Sequence, residues 1–289
     1  MNNFENFKNK KVAFFGTPDF TVEFLELFKT LGLNISLIVT GEDKPVGRGQ
    51  QIKSPAPKVF AEQNGIKGFQ PRKLSEVEHE LAGFDLFIVI AYGKIIPEKI
   101  INLPKFGTIN LHYSLLPKYR GASPVETAIL NCDTETGITI QQMVYKLDAG
   151  NILFQDKINI YEDETIAALR ERLNKKAIEI FPEFLVNFFS EKMTGTMQDE
   201  SSVTNCGKFT KQDLDVTGDL KSKNLDLVYK KYKAFNKKVF FFHKTSSQNL
   251  IRVKITEMKK GEILKVLPES RKEISVKDFE NSFGKIYED

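Results

Sequence analysis

Asn110 and His112 stand two residues apart in GTINLH, and Asp148 follows in YKLDAGNI. An amide, an imidazole and a carboxylate can together stabilise negative charge on a carbonyl oxygen and move a proton off an attacking atom. Residues two apart on a strand point to the same face, so Asn110 and His112 would share one surface. The chain has only three histidines, and its two cysteines, Cys132 and Cys206, show no metal-ligand spacing. Chemistry without a protein-held metal is therefore expected. The same residue types also cap helices and turns in α/β proteins, and on residue type alone that reading stays open.

Such groups work only if strands bring them to one edge. KVAFF (11–15), NISLIVT (34–40), DLFIVIA (85–91), GTINLH (107–112), GITIQQMVY (137–145) and NILFQDKINI (151–160) all read as strands. Helical spacing of Phe20, Phe24, Leu27, Phe28 and Leu31 predicts a helix after the first strand. Thr17 is expected as its N-cap, with Pro18 in its first turn and Asp19 at the positive end of its dipole. Residues 164–189 predict a long amphipathic helix with a break at Pro182. Strands alternating with helices predict an α/β, Rossmann-like, mostly parallel sheet covered on both faces. Ligands of such sheets bind at the carboxyl ends of strands, where His112 falls.

The character changes after residue 189. Residues 190–205 are polar without apolar periodicity and read as a linker. From 206 to 289, KKVFFFH, NLIRVKITEM, GEILKVL and KEISV predict short strands of a small β-rich, OB-like barrel domain. The expected organisation is therefore a catalytic domain over 1–189, a linker, and a basic domain over 206–289.

Composition sets the outer limits. In 289 residues, 41% are apolar and 28% charged, as in ordinary globular proteins. No apolar run approaches the roughly 20 residues of a membrane span, and MNNFENFKNKK lacks the apolar core of a signal peptide. A monomer in a reducing cytoplasm is expected. Residues 206–289 carry 19 Lys and Arg against 12 Asp and Glu, a balance of +7 that leaves −3 for the rest of the net +4. Between Lys221 and Lys244 lie eight lysines and one acid, Asp226, interleaved with aromatic residues. The run reads either as a solvated surface or as a patch for an anionic polymer. No G-x-G-x-x-G follows the first strand, which argues against a nicotinamide-dependent oxidoreductase. A non-catalytic RNA-binding module would account for the basic back but not for the trio.

FFGTPDF, AYGKIIP, NLHYSLLPKYRGASP and TGITIQQMVYKLDAGNI, in that order, resemble the enzymes that transfer a formyl group from 10-formyltetrahydrofolate. The resemblance implies that Asn110, His112 and Asp148 are the catalytic trio. It implies that Ser114, Leu115, Leu116 and Pro117 contact folate, and that Ala91, Tyr92, Gly93 and Ile95 wall its pterin pocket. GTPDF and GEDKPVGRGQQIKSPAPK (41–58) further resemble the members that formylate methionyl initiator tRNA, with Arg48 at the position of a key arginine. Lys44, Arg48 and Lys53 would carry charge to the acceptor end, and Gly47 and Gly49 would let backbone approach a phosphate. Lys230, Lys231, Lys237 and Lys238 are the expected tRNA contacts of the back domain. The alternative substrate is an amino-sugar nucleotide. Tyr113 stands where the family usually has a small residue, and AFNKKVFFF lacks the family's proline-tryptophan segment. In the implied mechanism Asn110 and protonated His112 donate to the formyl oxygen. Asp148 keeps His112 charged and oriented and relays the amine proton, and no metal takes part.

Overall fold

Phe14 and Phe15 are neighbours on one strand, and both are fully buried. Successive side chains point to opposite faces, so this strand must be covered on both sides. In a computed structural model of the chain, which describes residues 5–47, 49–190, 193–245 and 248–286, it is. Phe15 packs against Phe87 and Tyr92 on one face. Phe14 packs against Phe28 on the other, where Phe28 and Phe24 in turn meet Phe181.

The strands run in chain order as β1 (Lys11–Gly16), β2 (Asn34–Val39), β3 (Lys44–Val46), β4 (Gln51–Lys53) and β5 (Lys67–Phe69). There follow β6 (Leu86–Ile90), β7 (Thr108–His112), β8 (Arg120–Gly121), β9 (Glu135–Gln142), β10 (Ile152–Asn159) and β11 (Asn205–Cys206). Seven of these form one sheet in the order β10-β9-β7-β6-β1-β2-β5. The pairs from β5 to β7 are parallel, and β9 joins β7 antiparallel. The strand order reverses beside β1, so the carboxyl ends of β1, β6 and β7 open to one edge.

The described chain divides into two compact units. The first takes the residues up to Ala122, with Gly137–Lys157 and Leu173–Asn205. The second takes Ser123–Thr136, Ile158–Arg172 and the chain from Cys206. The second unit holds a four-stranded antiparallel sheet of β12 (Phe240–Lys244), β13 (Leu250–Lys259), β14 (Glu262–Pro268) and β15 (Ile274–Ser275). Phe241, Val253, Ile255, Val266 and Phe279 form its core. No helix among the described residues is long and apolar enough to cross a membrane.

Three local expectations are corrected. Thr17 does not cap the helix, which runs Thr21–Thr30 from Phe20. Its hydroxyl instead donates to the Tyr92 carbonyl at 3.0 Å and accepts from the Gly41 amide at 3.2 Å, tying together the loops after β1, β2 and β6. Pro182 does not break the long helix, which continues over Ile166–Ser190. Losing one helical hydrogen bond there costs about 3 kcal/mol. The buried side chains of Phe181, Phe184 and Leu185 on either side outweigh that cost.

The third correction concerns residues 190–205. The described part of this stretch is bound to the first unit rather than free. Thr196 and Ile152 exchange two backbone hydrogen bonds of 2.8 Å, and the Arg120 amide donates to the Thr204 carbonyl at 2.8 Å. Polar backbone pairing holds the segment, and such pairing leaves no apolar period in the sequence.

Candidate active site

β7 ends at His112, and its pairing with β9 sets Asn110 opposite Gln141 and His112 opposite Thr139. Directly opposed residues share a face, so four polar side chains line one surface at the end of the sheet. His112 is 6% exposed. Its Nε2 lies 2.9 Å from the Tyr119 carbonyl, which only accepts, so Nε2 carries the hydrogen. Nδ1 is the nitrogen left for chemistry, and it faces Asp148 Oδ2 at 3.6 Å.

Asp148 is held firmly. The Gly121 amide donates to Oδ2 at 2.8 Å, and Gln141 Nε2 donates to Oδ1 at 2.9 Å. Its backbone is left-handed, with φ +49°, as are those of Ala91 at +50° and Tyr119 at +61°. Of the ten described non-glycine residues in this region, these three lie in the loops at this sheet edge. Asn110 is half-buried, and its side-chain amide makes no hydrogen bond among the described residues. The structure therefore brings Asn110, His112 and Asp148 to one place.

The SLLP loop is fixed by Thr139 and Gln155, which carry no local sequence signal. Thr139 Oγ1 donates to the Ser114 carbonyl at 2.6 Å and accepts from the Leu116 amide at 3.2 Å. Gln155 Nε2 donates to the Leu116 carbonyl at 2.9 Å. Ser114 and Leu116 are buried and serve the loop's own shape, while Leu115 and Pro117 remain partly exposed. In AYGKIIP, Tyr92 turns into the core, where burial pushes its hydroxyl up to about 12. Ala91 is half-buried, Gly93 is exposed, and the Ile95 side chain stands 85% exposed. Tyr113 turns away from this surface. Its hydroxyl donates to Asn174 Oδ1 at 2.7 Å and its ring meets Phe20 edge-on.

The expected tRNA contacts divide. Lys44 and Lys53 lie directly opposite each other on the β3–β4 hairpin, both exposed, with Lys53 Nζ 2.8 Å from Asp19. Arg48 lies outside the described residues. In the second unit Lys237 and Lys238 are exposed. Lys231 instead pairs with Asp219 at 2.7 Å. Lys230 lines a cavity of about 490 Å³ with Asp133, Glu162, Asp163 and Asp226.

Two glutamines were missed. Gln141 could be found only from the β7–β9 register. Gln198, from the supposed linker, donates to the carbonyls of Asp148 at 2.8 Å and Gly150 at 2.7 Å. Beside it, Glu200 accepts from Arg120 and Lys146, both at 2.8 Å, which holds its carboxyl down to about 2.

Residues 10–185 match the Formyl transferase family. A methionyl-tRNA formyltransferase of Geobacillus sp. is 41% identical over 198 residues, covering 67% of this chain and 62% of that protein. Another, of Nitrosospira multiformis, is 35% identical over 270 residues, covering 90% of this chain and 85% of its own. The fold resembles that of an N-formyltransferase from Helicobacter canadensis, solved with folinic acid and dTDP-3-aminofucose. The TM-score is 0.62 at 21% identity, covering 80% of this chain and 83% of that one. The chain belongs to the formyl transferase family and, within it, to the methionyl-tRNA formyltransferases.

Proposed function

We propose that the chain transfers the formyl group of 10-formyltetrahydrofolate to the α-amino group of methionyl initiator tRNA, for the start of protein synthesis. The observation that carries this reading is the open end of β7. There an imidazole nitrogen faces a fixed carboxylate beside an asparagine amide with no partner among the described residues. The residues fit a formyl-bearing folate, because Asn110 offers an uncommitted donor and Ile95 an exposed apolar wall. When bound, the folate supplies the formyl carbon and leaves with its own nitrogen.

Each residue then has a role. Asn110 donates to the formyl oxygen as charge develops on it, and His112 adds positive charge from its Nδ1 side. The attacking amine has an ordinary pKa of about 7.7–8.0, lower when its carboxyl is esterified, so much of it is neutral without a strong base. Asp148 keeps the imidazole oriented and relays the amine proton, released as the new C–N bond forms, to the folate nitrogen as the old C–N bond breaks. On the hairpin, exposed Lys44 lies opposite Lys53, whose exposed ion pair with Asp19 would have to exchange for a phosphate of the acceptor stem. Arg48 sits between them in the sequence and would contact the same stem. In the second unit, Lys237 and Lys238 are exposed, as contact with phosphate requires.

The test offers 10-formyltetrahydrofolate with either methionyl initiator tRNA or an amino-sugar nucleotide. Formylation of the tRNA amine is expected, and formylation of the sugar amine alone would replace this reading.

A further inference from the structure

Asp148 holds an unfavourable backbone conformation, and it must keep its carboxylate on His112 through every turnover. Gly121 and Gln141 fix the carboxylate oxygens. The main chain around Asp148 lies in the left-handed region at φ +49°, and the carbonyls of Asp148 and Gly150 take a donor of their own there.

The structure assigns the anchoring of this main chain to Gln198, as a positioning residue for Asp148; the inference rests on Asp148 acting in formyl transfer as proposed above. Gln198 is 9% exposed. Its amide nitrogen donates to both the Asp148 and Gly150 carbonyls. Its oxygen accepts from Arg120 Nε at 3.0 Å. Arg120 only donates and the two carbonyls only accept, so the amide can sit only one way round. Arg120 is itself 3% exposed and fixed by its backbone bond to Thr204 and its pairing with Glu200. The next residue along is Gly121, whose amide holds the Asp148 carboxylate.

A closed ring results. It runs from the Asp148 carbonyl through Gln198 and Arg120 to the Gly121 amide, and back to the Asp148 carboxylate. Both ends of Asp148 are thus referred to one rigid segment, and loss of Gln198 frees the main-chain end. A displacement of about 1 Å at a reacting group can cost 10²-fold in rate. Neither Gln198 nor Arg120 is among the residues assigned to folate or tRNA, so a loss that acts through Asp148 should fall on kcat.

The full chain would be assayed with 10-formyltetrahydrofolate and methionyl initiator tRNA as wild type, Gln198→Leu, Gln198→Glu and Asp148→Asn. Gln198→Glu still accepts from Arg120, with added charge, but cannot donate to the loop. Both Gln198 variants should lose about 10- to 100-fold in kcat, with KM for each substrate within about twofold. Gln198→Glu sets a carboxylate oxygen against two carbonyls that lose their donor, so it should melt below wild type. The kcat is read well below each variant's midpoint, and Gln198→Glu, which keeps its contact with Arg120, decides the matter if Gln198→Leu fails to fold. Wild-type kcat in Gln198→Glu, or a loss confined to KM, overturns the inference while an inactive Asp148→Asn leaves the reading of the site standing. Wild-type turnover in Asp148→Asn removes that reading and this inference with it.

Discussion

At the scale of single residues, Asn110 offers the plainest test. Its amide has no other partner among the described residues, so removing it should disturb little but the developing charge. Asn110→Ala is expected to lower kcat by about 10²–10³ while leaving the thermal midpoint unchanged. Stopped assays of formyl-methionyl-tRNA with thermal melts would check both halves, and near-normal turnover would refute the role. Gly150 makes a complementary case. A Cβ there would collide with the Gln142 carbonyl oxygen, so the backbone must shift. Gly150→Ala should cost about 1–3 kcal/mol in denaturant melts and carry the Asp148 loop out of place. That Asn110 and His112 share a face was legible because a spacing of two on a strand is a local pattern, whereas Asp148 was joined to them only by the family resemblance. Gln141 was not legible, because its place beside Asn110 depends on which residue of β9 pairs with which of β7.

Elements were legible where apolar periodicity forms them and obscure where hydrogen bonds do. The strands with buried runs, such as Leu86–Ile90, fall close to where their composition puts them. Thr17 was misread because capping is a local rule, whereas its real partners lie on two other loops. The stretch around Gln198 read as a linker because backbone and side-chain amides hold it, and those bonds leave no apolar mark.

Glu200, in that same stretch, carries a pH signature. Its carboxyl is held at about 2 against an ordinary 4.5 by Arg120 first and Lys146 second. A depressed acid contributes stability that is complete above its unfolded pKa and lost as pH falls toward the folded one. The gap in thermal midpoint between wild type and Glu200→Gln should therefore be constant from neutral pH down to about 5. It should then narrow on further acidification, and a gap independent of pH would count against the clamp. The hairpin has its own test, which separates tRNA contact from chemistry. Arg48→Ala should impair formylation of tRNA far more than hydrolysis of 10-formyltetrahydrofolate by water, since the second reaction involves no phosphate. Equal losses in both would place Arg48 in support of the reacting groups.

At the scale of the whole molecule, charge alone could not say which lysines are free to meet RNA, and the structure sorts them. Lys231 is half-buried against Asp219, and Lys230 faces a cavity rich in carboxylates. Lys237 and Lys238, a few residues on, are exposed. A lysine that neutralises a phosphate releases counterions, so its removal lowers the dependence of log Kd on log salt by about one for each contact. A lysine already paired within the protein releases none. Lys237→Ala with Lys238→Ala should therefore weaken methionyl-tRNA binding and flatten the salt slope, with the melting temperature unchanged. Lys231→Ala should leave the slope as it is and lower the melting temperature, because Asp219 then stays half-buried without its partner. Filter-binding titrations across a salt series, beside thermal melts of each variant, would separate the two classes. If Lys231→Ala flattens the slope as much as one of the exposed pair, its ion pair opens to receive phosphate and the sorting by burial fails.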